Sequence, residues 1–323
     1  FLSGGIDSGL MVAMMTRIQR ERGDRDPTRT FTIGFGSEGR IYDEATPAAR
    51  IAQHFGTDHQ TLRVDPDLAT GRFQNIAQQF DEPFGIATAL LHDALCEETR
   101  REVTVALAGD GGDEGFGGYP RHRAARSLAL YTALLPQRVR THWIPRAAAN
   151  LPDRAEGRQA LRRIRRFLTS SGQDFATVYR EWLNHYSSGE LQALLTPNAL
   201  AAAGANAQDQ LGDLGAIESL MREEATGNDP MDPAFLADIY GFLANNVLRD
   251  SDRMSMRVGL EVRVPYADRR ILDFGLRLPT RLKVSSPLAA LVPGGRSTSK
   301  ATLRALGTRY LPEWCSSAPK QGF

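Results

Sequence analysis

Apolar residues in the first hundred positions alternate between helical and strand spacing. A helix with one apolar face is predicted after a glycine turn by Leu10, Met11, Met14, Met15 and Ile18. The elements that follow alternate in type, with strands predicted over 30–35, 57–64 and 103–107 and helices over 47–55 and 89–100. This alternation predicts a parallel sheet with right-handed crossovers, whose ligands bind at the carboxyl ends of the strands.

The pattern changes near residue 121. Beyond it, Ala, Leu and Arg recur with helical periodicity and strand signals are few. We therefore predict an α/β fold with its core over residues 1–120 and an extensive helical remainder over 121–323.

Composition narrows the class of protein. A chain of 323 residues with 41% hydrophobic and 24% charged residues matches soluble globular proteins rather than disordered, fibrous or membrane chains. No stretch approaches the roughly 18 uninterrupted apolar residues of a membrane span. The 39 basic and 38 acidic residues give a net charge of +1, which supplies no broad field for nucleic acid. We expect neither nucleic acid nor membrane as a partner, and any anion must be bound locally.

Two features concern the setting of the chain. Cys96 and Cys315 lie far apart in sequence, which favours neither a disulfide scaffold nor a structural zinc site and fits a cytoplasmic location. Phe1 and Leu2 resemble the last residues of a strand that runs into a glycine turn. We therefore expect the chain to be part of a longer protein.

The basic residues are strongly skewed. Only Lys283, Lys300 and Lys320 are lysine, and the other 36 are arginine. A mutational bias toward arginine codons explains the excess most simply. Because an ammonium is a compact point charge and a guanidinium a planar fork, positions that stay lysine against such a bias are candidates for a specific role.

The first candidate site is the loop over residues 3–8, Ser-Gly-Gly-Ile-Asp-Ser, between a strand end and a helix start. Backbone N–H groups of a glycine turn and the positive end of a helix bind anions, and two serine hydroxyls add donors. Asp7 would repel a phosphate unless a metal ion lay between them, and Mg²⁺ commonly bridges carboxylates and phosphates. The alternative is a purely structural glycine turn.

Two other nucleotide-binding patterns fit poorly. A Walker A loop needs a lysine after its glycines, and no lysine precedes Lys283. Gly34, Gly36 and Gly39 match the spacing of a dinucleotide fingerprint, but the next predicted helix starts several residues later. Because those glycines must open the helix, the dinucleotide interpretation is disfavoured.

A second glycine cluster runs over 109–118, with six glycines in ten residues. Asp110, Asp113 and Glu114 lie within it, at the end of a predicted strand. Carboxylates this close repel one another unless cations neutralise them, so the cluster indicates a Mg²⁺ site at the same sheet edge as the first loop. A metal-free structural turn is the alternative.

The motifs together resemble a known family. The loop 3–8 resembles the PP-loop of ATP pyrophosphatases, which cleave ATP between the α- and β-phosphates. Four further segments resemble, in order, signatures of the synthetase domain of class B glutamine-dependent asparagine synthetases, and they lie at 109–119, 252–256, 259–266 and 319–323. The resemblance spans the chain and implies a PP-loop ATP pyrophosphatase core (adenine nucleotide α-hydrolase-like).

The resemblance also implies a reaction and a set of site residues. A carboxylate, normally the aspartate side chain, attacks the ATP α-phosphate, and ammonia then displaces AMP from the acyl-adenylate. Pyrophosphate would be bound by Ser3, Gly4, Gly5, Asp7, Ser8, Lys300 and Lys320, the last two within the segment 285–323. Adenosine would be lined by Leu2, Ile33, Ala108 and Gly109. Mg²⁺ would be held by Asp7 and Asp113, and Asp110 would act with Lys300 in catalysis.

Three departures from the family pattern bear on the substrate. Ala108 stands where a serine is common, and the segment 85–92 departs from the usual polar, proline-containing sequence beside the acyl-acceptor pocket. The family's N-terminal glutaminase domain is absent, so we expect that domain, as a partner in the full-length protein, to supply ammonia. A homodimer is compatible with the resemblance.

Alternatives therefore stay open. A related amidotransferase, or a β-lactam or lasso-peptide type cyclase, would use the same adenylation with another carboxylate and an amine of the substrate. A regulatory nucleotide-binding domain without turnover is a different class, against which the intact Asp7, Asp113 and Lys300 argue. Glu261 and Arg263 are interpreted as a structural charge pair that joins the helical half to the sheet. The histidines form no arrangement with serine or cysteine that supports triad hydrolysis.

Overall fold

A computed structural model describes most of the chain. The described residues are 1–35, 44–64, 66–80, 85, 88–149, 167–168, 172–183, 186, 188–203, 219, 229–285 and 298–316. They divide into two compact units. Unit 1 comprises 1–116, 243–275 and 300–323, and unit 2 comprises 117–242 and 276–299.

Unit 1 contains the strands and the helices that cover them. Its first part runs α1 (Ile6–Arg22), β1 (Arg29–Phe35), α2 (Ala45–Phe55), β2 (Asp58–Val64), α3 (Pro66–Phe80), α4 (Ala89–Glu102), β3 (Val105–Leu107) and α5 (Gly112–Phe116). These bounds confirm the predicted alternation. The helix α3 adds to the predicted elements, and among its described side chains Ile76 and Phe80 are buried.

The strands form two parallel pairs. β1 pairs with β2 from Arg29 opposite Asp58 to Phe35 opposite Val64. β3 pairs with a later strand, Val105 lying opposite Glu261. Leu2 N–H donates to the Phe31 carbonyl at 2.8 Å, so the segment before the first glycine loop runs beside β1. The predicted parallel arrangement is confirmed.

Glycines end the first two helices. Gly23 follows α1 with φ 77°, and Gly56 follows α2 with φ 68°. Both adopt the left-handed conformation that closes a helix, and only glycine does so without steric cost.

Small apolar clusters hold unit 1 together. One consists of Phe31, Ile33 and Leu95, between β1 and α4, and another of Cys96, Ala106 and Leu260. Burying each large side chain stabilises the fold by about 1.5–3 kcal/mol. The carboxyl ends of β1 and β3 are thereby fixed on a packed layer.

The fourth strand lies in the half that was expected to be helical. β4 (Glu261–Arg263) follows the helix 248–257 and adds to β3, and Ala108 N–H donates to the Arg263 carbonyl at 2.9 Å. Glu261 and Arg263 do form the expected ion pair, at 2.7 Å on an exposed surface. The backbone pairing of β4, rather than that ion pair, joins this segment to the sheet.

The remaining elements are helical. Those between α5 and β4 are α6 (Pro120–Leu134), a π-helical segment (Val139–Trp143), α7 (Ile144–Ala149), α8 (Phe175–Leu183), α9 (Ser188–Leu194), α10 (Pro197–Ala203), α11 (Asp232–Ala237), a second π-helical segment (Asp238–Val247) and α12 (Leu248–Arg257). After β4 come a 3₁₀ turn (Pro265–Ala267), α13 (Arg269–Arg277), α14 (Thr280–Lys283), α15 (Ala301–Tyr310) and α16 (Glu313–Ser316).

Unit 2 has an apolar core around Phe235 and Tyr179, both fully buried. Beside it lies the buried carboxylate of Asp238, which accepts hydrogen bonds from Arg121 at 3.1 Å and Tyr179 at 2.9 Å and lies 2.6 Å from His122 Nε2. A buried charge with this many partners is satisfied and anchors the surrounding helices.

Two sequence expectations concern the cysteines and membrane spans. Cys96 and Cys315 are free and buried. Within the described residues, no helix is long and apolar enough to cross a membrane. The cytoplasmic location stays a prediction.

Candidate active site

The first glycine loop folds back on its own serines. Ser8 Oγ accepts from Ser3 N–H at 3.1 Å and lies 2.8 Å from Ser3 Oγ, which in turn accepts from Gly5 N–H at 3.1 Å. The loop then enters α1, a helix of 17 residues whose N-cap is Gly5. A tight turn followed by a helix N-terminus is the arrangement that binds phosphate groups.

Gly4 cannot be replaced without moving its surroundings. A Cβ at this position would lie 2.5 Å from Cγ of Pro47, on α2. Since a proline ring cannot rotate away, the glycine is required by close packing. The second glycine of the pair, Gly5, has more room, with Ser3 Oγ at 3.1 Å.

The second glycine cluster closes onto the first loop. A Cβ at Gly112 would lie 2.9 Å from the carboxylate carbon of Asp7, and one at Gly109 would lie 3.3 Å from Ser8 N. The two loops were expected to share one sheet edge because each follows a strand end. The structure confirms that they touch, and glycine permits the approach.

Lys300 joins the two loops. Its ammonium forms ion pairs with Asp7 Oδ2 and with Asp113 Oδ1, the latter at 2.7 Å. The lysine is 4% exposed, while the two carboxylates keep a small exposed fraction. Three residues that the sequence nominated separately therefore form one cluster inside unit 1.

The backbone of Lys300 is unusual. With φ 55° and ψ 40°, it is the only non-glycine residue with positive φ among the described residues. The left-handed conformation costs a residue with a Cβ about 1 kcal/mol. It caps α15 and sets the side chain against Asp7 and Asp113.

The charges explain how an ammonium persists there. Burial lowers the pKa of Lys300, but the charges of Asp7 and Asp113 outweigh it and raise the pKa above its ordinary value. The group is therefore protonated at neutral pH and held by two anions.

The carboxylates fit a divalent cation. They come from two different loops and already share one cation, so they can converge on a metal ion. Among the described residues, no three His, Cys, Asp or Glu side chains gather as a complete metal site. Two carboxylates completed by phosphate oxygens and water are the donor set that Mg²⁺ uses.

Asp110 lies close to a pair that the sequence did not reveal. His92, in the first turn of α4, places Nδ1 2.5 Å from Oδ2 of Asp250, on α12. Burial raises the pKa of Asp110, Asp250 and Asp113 raise it further, and His92 partly offsets the shift. Asp110 is therefore within charge range of both His92 and Asp113.

The only sequence signal for His92 was its position at the end of the divergent segment 85–92. Asp250 lies 158 positions away, beyond the reach of any local pattern.

Residues expected to line adenosine lie at the strand ends. Leu2, Ile33 and Ala108 are buried, and Gly109 follows β3. The N–H groups of Leu2 and Ala108 are already engaged with Phe31 and Arg263. Lys320 falls outside the described residues.

Comparison with known proteins gives consistent matches. The family model described as asparagine synthase matches residues 1–323. Asparagine synthetase [glutamine-hydrolyzing] 1 of Bacillus subtilis is 25% identical over the whole chain, which covers 45% of that protein. A putative asparagine synthetase [glutamine-hydrolyzing] of Mycobacterium tuberculosis is 27% identical over the whole chain, which covers 44% of it. A third, of Methanocaldococcus jannaschii, is 38% identical over 38% of this chain, covering 22% of that protein.

The chain thus spans less than half the length of the full-length relatives it matches. The match to the family, by contrast, runs from the first residue to the last. With its parallel strands, its helical remainder and this match, the chain belongs to the asparagine synthase family.

Proposed function

We propose that this chain is the adenylating domain of an ATP-dependent amide-forming ligase with a PP-loop core. A carboxylate oxygen attacks the ATP α-phosphorus and pyrophosphate leaves. Ammonia or an amine then attacks the acyl carbon of the acyl-adenylate and AMP leaves. The observation that carries the proposal is the bridge from Lys300 to Asp7 and Asp113, because it joins both glycine loops through one charged cluster.

The first loop would hold the pyrophosphate. The hydroxyls of Ser3 and Ser8 and the positive N-terminal end of α1 lie in one small volume and would donate to the pyrophosphate. Gly4 and Gly5 keep that volume free of side chains. Fixed donors of this kind stabilise charge that builds up on a leaving group without the cost of reorganising solvent.

The ammonium of Lys300 would pair with the departing pyrophosphate. In the structure its ammonium is held by two carboxylates at the loop, and a lysine donates from three rotatable N–H bonds. A bound phosphate would compete with Asp7 and Asp113 for that ammonium. Lys320 is proposed as a second pyrophosphate-binding lysine on the resemblance alone.

Asp7 and Asp113 would hold Mg²⁺ together with phosphate oxygens. When bound, the ion neutralises charge on the pyrophosphate and so makes it a better leaving group. If the ammonium of Lys300 pairs with pyrophosphate instead, the carboxylates of Asp7 and Asp113 become available to Mg²⁺.

The strand ends would bind adenosine. Leu2, Ile33 and Ala108 offer a buried apolar lining, which Gly109 would extend just beyond the end of β3. Asp110, which lies within range of the charge of His92, would lie at the reacting carboxyl group.

The substrate class is a small carboxylic acid, with aspartate as the first candidate. The segment 85–92 differs from the family pattern, so another carboxylate fits the same chemistry. The names of the full-length relatives include glutamine hydrolysis, which supports a glutaminase domain as the source of ammonia. Homodimer formation stays a prediction.

A pyrophosphate-release screen on the full-length protein tests the proposal. Aspartate and other carboxylic acids would be offered with ATP, Mg²⁺ and ammonia, and we expect AMP and pyrophosphate in equal amounts. With ¹⁸O in the carboxylate, one labelled oxygen should appear in AMP, because the acyl C–O bond breaks after adenylation. Release of ADP and phosphate, or unlabelled AMP, would contradict the mechanism.

A matched pair of variants checks that the site is responsible. Asp7→Asn should abolish pyrophosphate release, because it removes an anionic ligand of the proposed Mg²⁺ ion. Asp24→Asn makes the same change at an exposed position beyond the end of α1 and should leave release unchanged. Equal activity of the two variants would remove Asp7 from the site.

A further inference from the structure

His92 and Asp250 form a pair that the adenylation step does not use. Asp250 is 3% exposed and its Oδ2 lies 2.5 Å from His92 Nδ1. Its other oxygen, Oδ1, is buried and has no hydrogen-bond partner among the described residues. A buried carboxylate with one engaged oxygen fixes the imidazole in one orientation.

The second ring nitrogen of His92 is the one left for a ligand. Nδ1 is held by Asp250, and the structure gives Nε2 no hydrogen bond within the described residues. The imidazole side chain is 42% exposed, so a small molecule can reach it. The charge of His92 acts on Asp110. Asp110 follows the end of β3, where the acyl group would react.

The other charged groups near α4 are engaged elsewhere. Asp93, the next residue, bonds to Arg72 on α3 and to Arg257 on α12. Arg29 on β1 bonds to Glu102 at the far end of α4.

His59 on β2 bonds to Thr30. Among the described residues, the charges that act on His92 are therefore those of Asp250 and Asp110.

These charges set the proton affinity of His92. Partial removal from water lowers the pKa of His92, but the bond to Asp250 and the charges of Asp250 and Asp110 outweigh it and raise the pKa above 6.5. A group that gains and loses a proton near neutral pH is the most effective acid or base in catalysis.

Amide formation needs such a group. When an amine attacks an acyl-adenylate, its nitrogen becomes positively charged and must lose a proton before the amide is stable. Asp7, Asp113 and Lys300 are assigned to ATP and pyrophosphate, and Asp110 to the reacting carboxyl group, so none of these four residues is assigned to this proton.

Resting on the proposed function, we propose that His92, held by Asp250, accepts the proton that the amine nucleophile loses in the amide-forming step. The nitrogen lone pair forms the new C–N bond, and the acyl C–O bond breaks with its electron pair leaving on AMP. One N–H proton passes to Nε2 of neutral His92. The imidazolium, paired with Asp250, then returns the proton to solvent.

The two half-reactions separate this role from a structural one. Carboxylate-dependent exchange of labelled pyrophosphate into ATP reports adenylation without an amine. Single-turnover amide formation at varied pH, at a fixed concentration of the unprotonated amine, reports the second step. The full-length protein, His92→Gln, Asp250→Asn and the exposed control His54→Gln would be compared, with thermal unfolding as a check on folding.

We expect His92→Gln to keep pyrophosphate exchange and to slow amide formation about 10²–10⁴-fold, which is the usual contribution of a general base. The wild-type rate should rise with pH through the raised pKa of His92, and this rise should disappear in His92→Gln. In Asp250→Asn the rise should move to lower pH, because the charge that raises the pKa of His92 is gone. His54→Gln should match the wild type.

Three outcomes would overturn the inference. Equal losses in exchange and amide formation would make His92 a structural or substrate-binding residue. An unchanged pH profile in both site variants would remove the proton-accepting role while adenylation stands. Absence of exchange in the wild type with any carboxylate would overturn the proposed function and this inference together.

Discussion

Two lysines, one in each unit, are buried by different surroundings. Lys300 in unit 1 lies among the carboxylates of two glycine loops, which raise its pKa. Lys283 in unit 2 is fully buried, with its ammonium 3.7 Å from the ring centre of Phe235. Burial lowers the pKa of Lys283 to about 8, although Asp232 and Asp229 partly offset the shift.

Under the proposed function, the difference separates a charge used for chemistry from one tolerated by packing. Two anions beside Lys300 keep it charged at the loop proposed to bind pyrophosphate. The aromatic face of Phe235 stabilises the ammonium of Lys283 by a cation–π interaction, which is a packing role and indicates no reaction. Retained lysine in an arginine-rich chain thus has two physical explanations, and the surroundings distinguish them.

The largest expected effect is a loss of pyrophosphate release on substitution of Lys300 but not of Lys283. Lys300→Ala should lower pyrophosphate release about 10²–10³-fold, because it removes a fixed charge from the leaving group. Lys283→Met, which keeps the length of the side chain, should leave release unchanged. Steady-state release at saturating ATP is the measurement. Similar losses in both variants would erase the distinction.

For the free energy of unfolding, unlike activity, the larger loss is expected from a substitution at Lys283. Lys283→Ala should lower the free energy of unfolding by about 2–4 kcal/mol, because it leaves a cavity in a packed region. Lys283→Met should be neutral or stabilising, since it fills the same space without a charge to desolvate. Urea unfolding followed by circular dichroism would show this. A Met variant as unstable as the Ala variant would mean that the charge, not the volume, matters.

Metal dependence should appear when the bridge is removed. In Lys300→Met the carboxylates of Asp7 and Asp113 face each other without the ammonium, which should cost about 1–3 kcal/mol in the presence of a chelator. Mg²⁺ without nucleotide should then stabilise this variant more than the wild type. Thermal unfolding with and without Mg²⁺ measures the difference, and equal shifts would argue against a metal site there.

A smaller effect is expected from one methyl group. Gly112→Ala places a Cβ 2.9 Å from the carboxylate carbon of Asp7, so the carboxylate that pairs with Lys300 must shift. We expect a loss of about tenfold in pyrophosphate release, the equivalent of 1.4 kcal/mol. Gly71→Ala, on α3 with nothing within 4 Å, is the control and should be fully active. An active Gly112→Ala would show that the contact can relax.

A further expected effect is a pH dependence of stability, with opposite signs at the two lysines. Between pH 8 and about 10.5, folded Lys283 has lost its proton while the unfolded chain still binds one, so stability should rise with pH. The contribution of Lys300, whose pKa is raised, is complete below about 10.5 and lost as pH rises through its folded value. Comparing wild type with Lys283→Met over this interval isolates the first trend, and parallel curves would refute it.

Local signals explain what the sequence could predict. The strands over 29–35 and 58–64 and the helix that ends at Gly56 follow from patterns of seven to eleven residues. The glycine loops were nominated because each follows a strand end. β4 was missed because a strand of three residues has almost no pattern of its own and exists through pairing with β3.

The contacts of the candidate site join residues that are far apart in sequence, so local patterns do not predict them. Lys300 and Asp7 are 293 positions apart, and only the family resemblance brought them into one hypothesis. His92 and Asp250 had no such guide, and each is unremarkable in its local sequence. Their proximity follows from the packing of α4 against α12, which no periodicity encodes.

The left-handed backbone of Lys300 has a consequence for design. Glycine would suit that backbone best, whereas the two carboxylates call for a long cationic side chain, so local and global preferences conflict at one position. A residue chosen only to fit the backbone would therefore relieve the strain of the turn and lose both ion pairs. Sequence design on this scaffold should fix position 300 by its side-chain contacts before it optimises the loop.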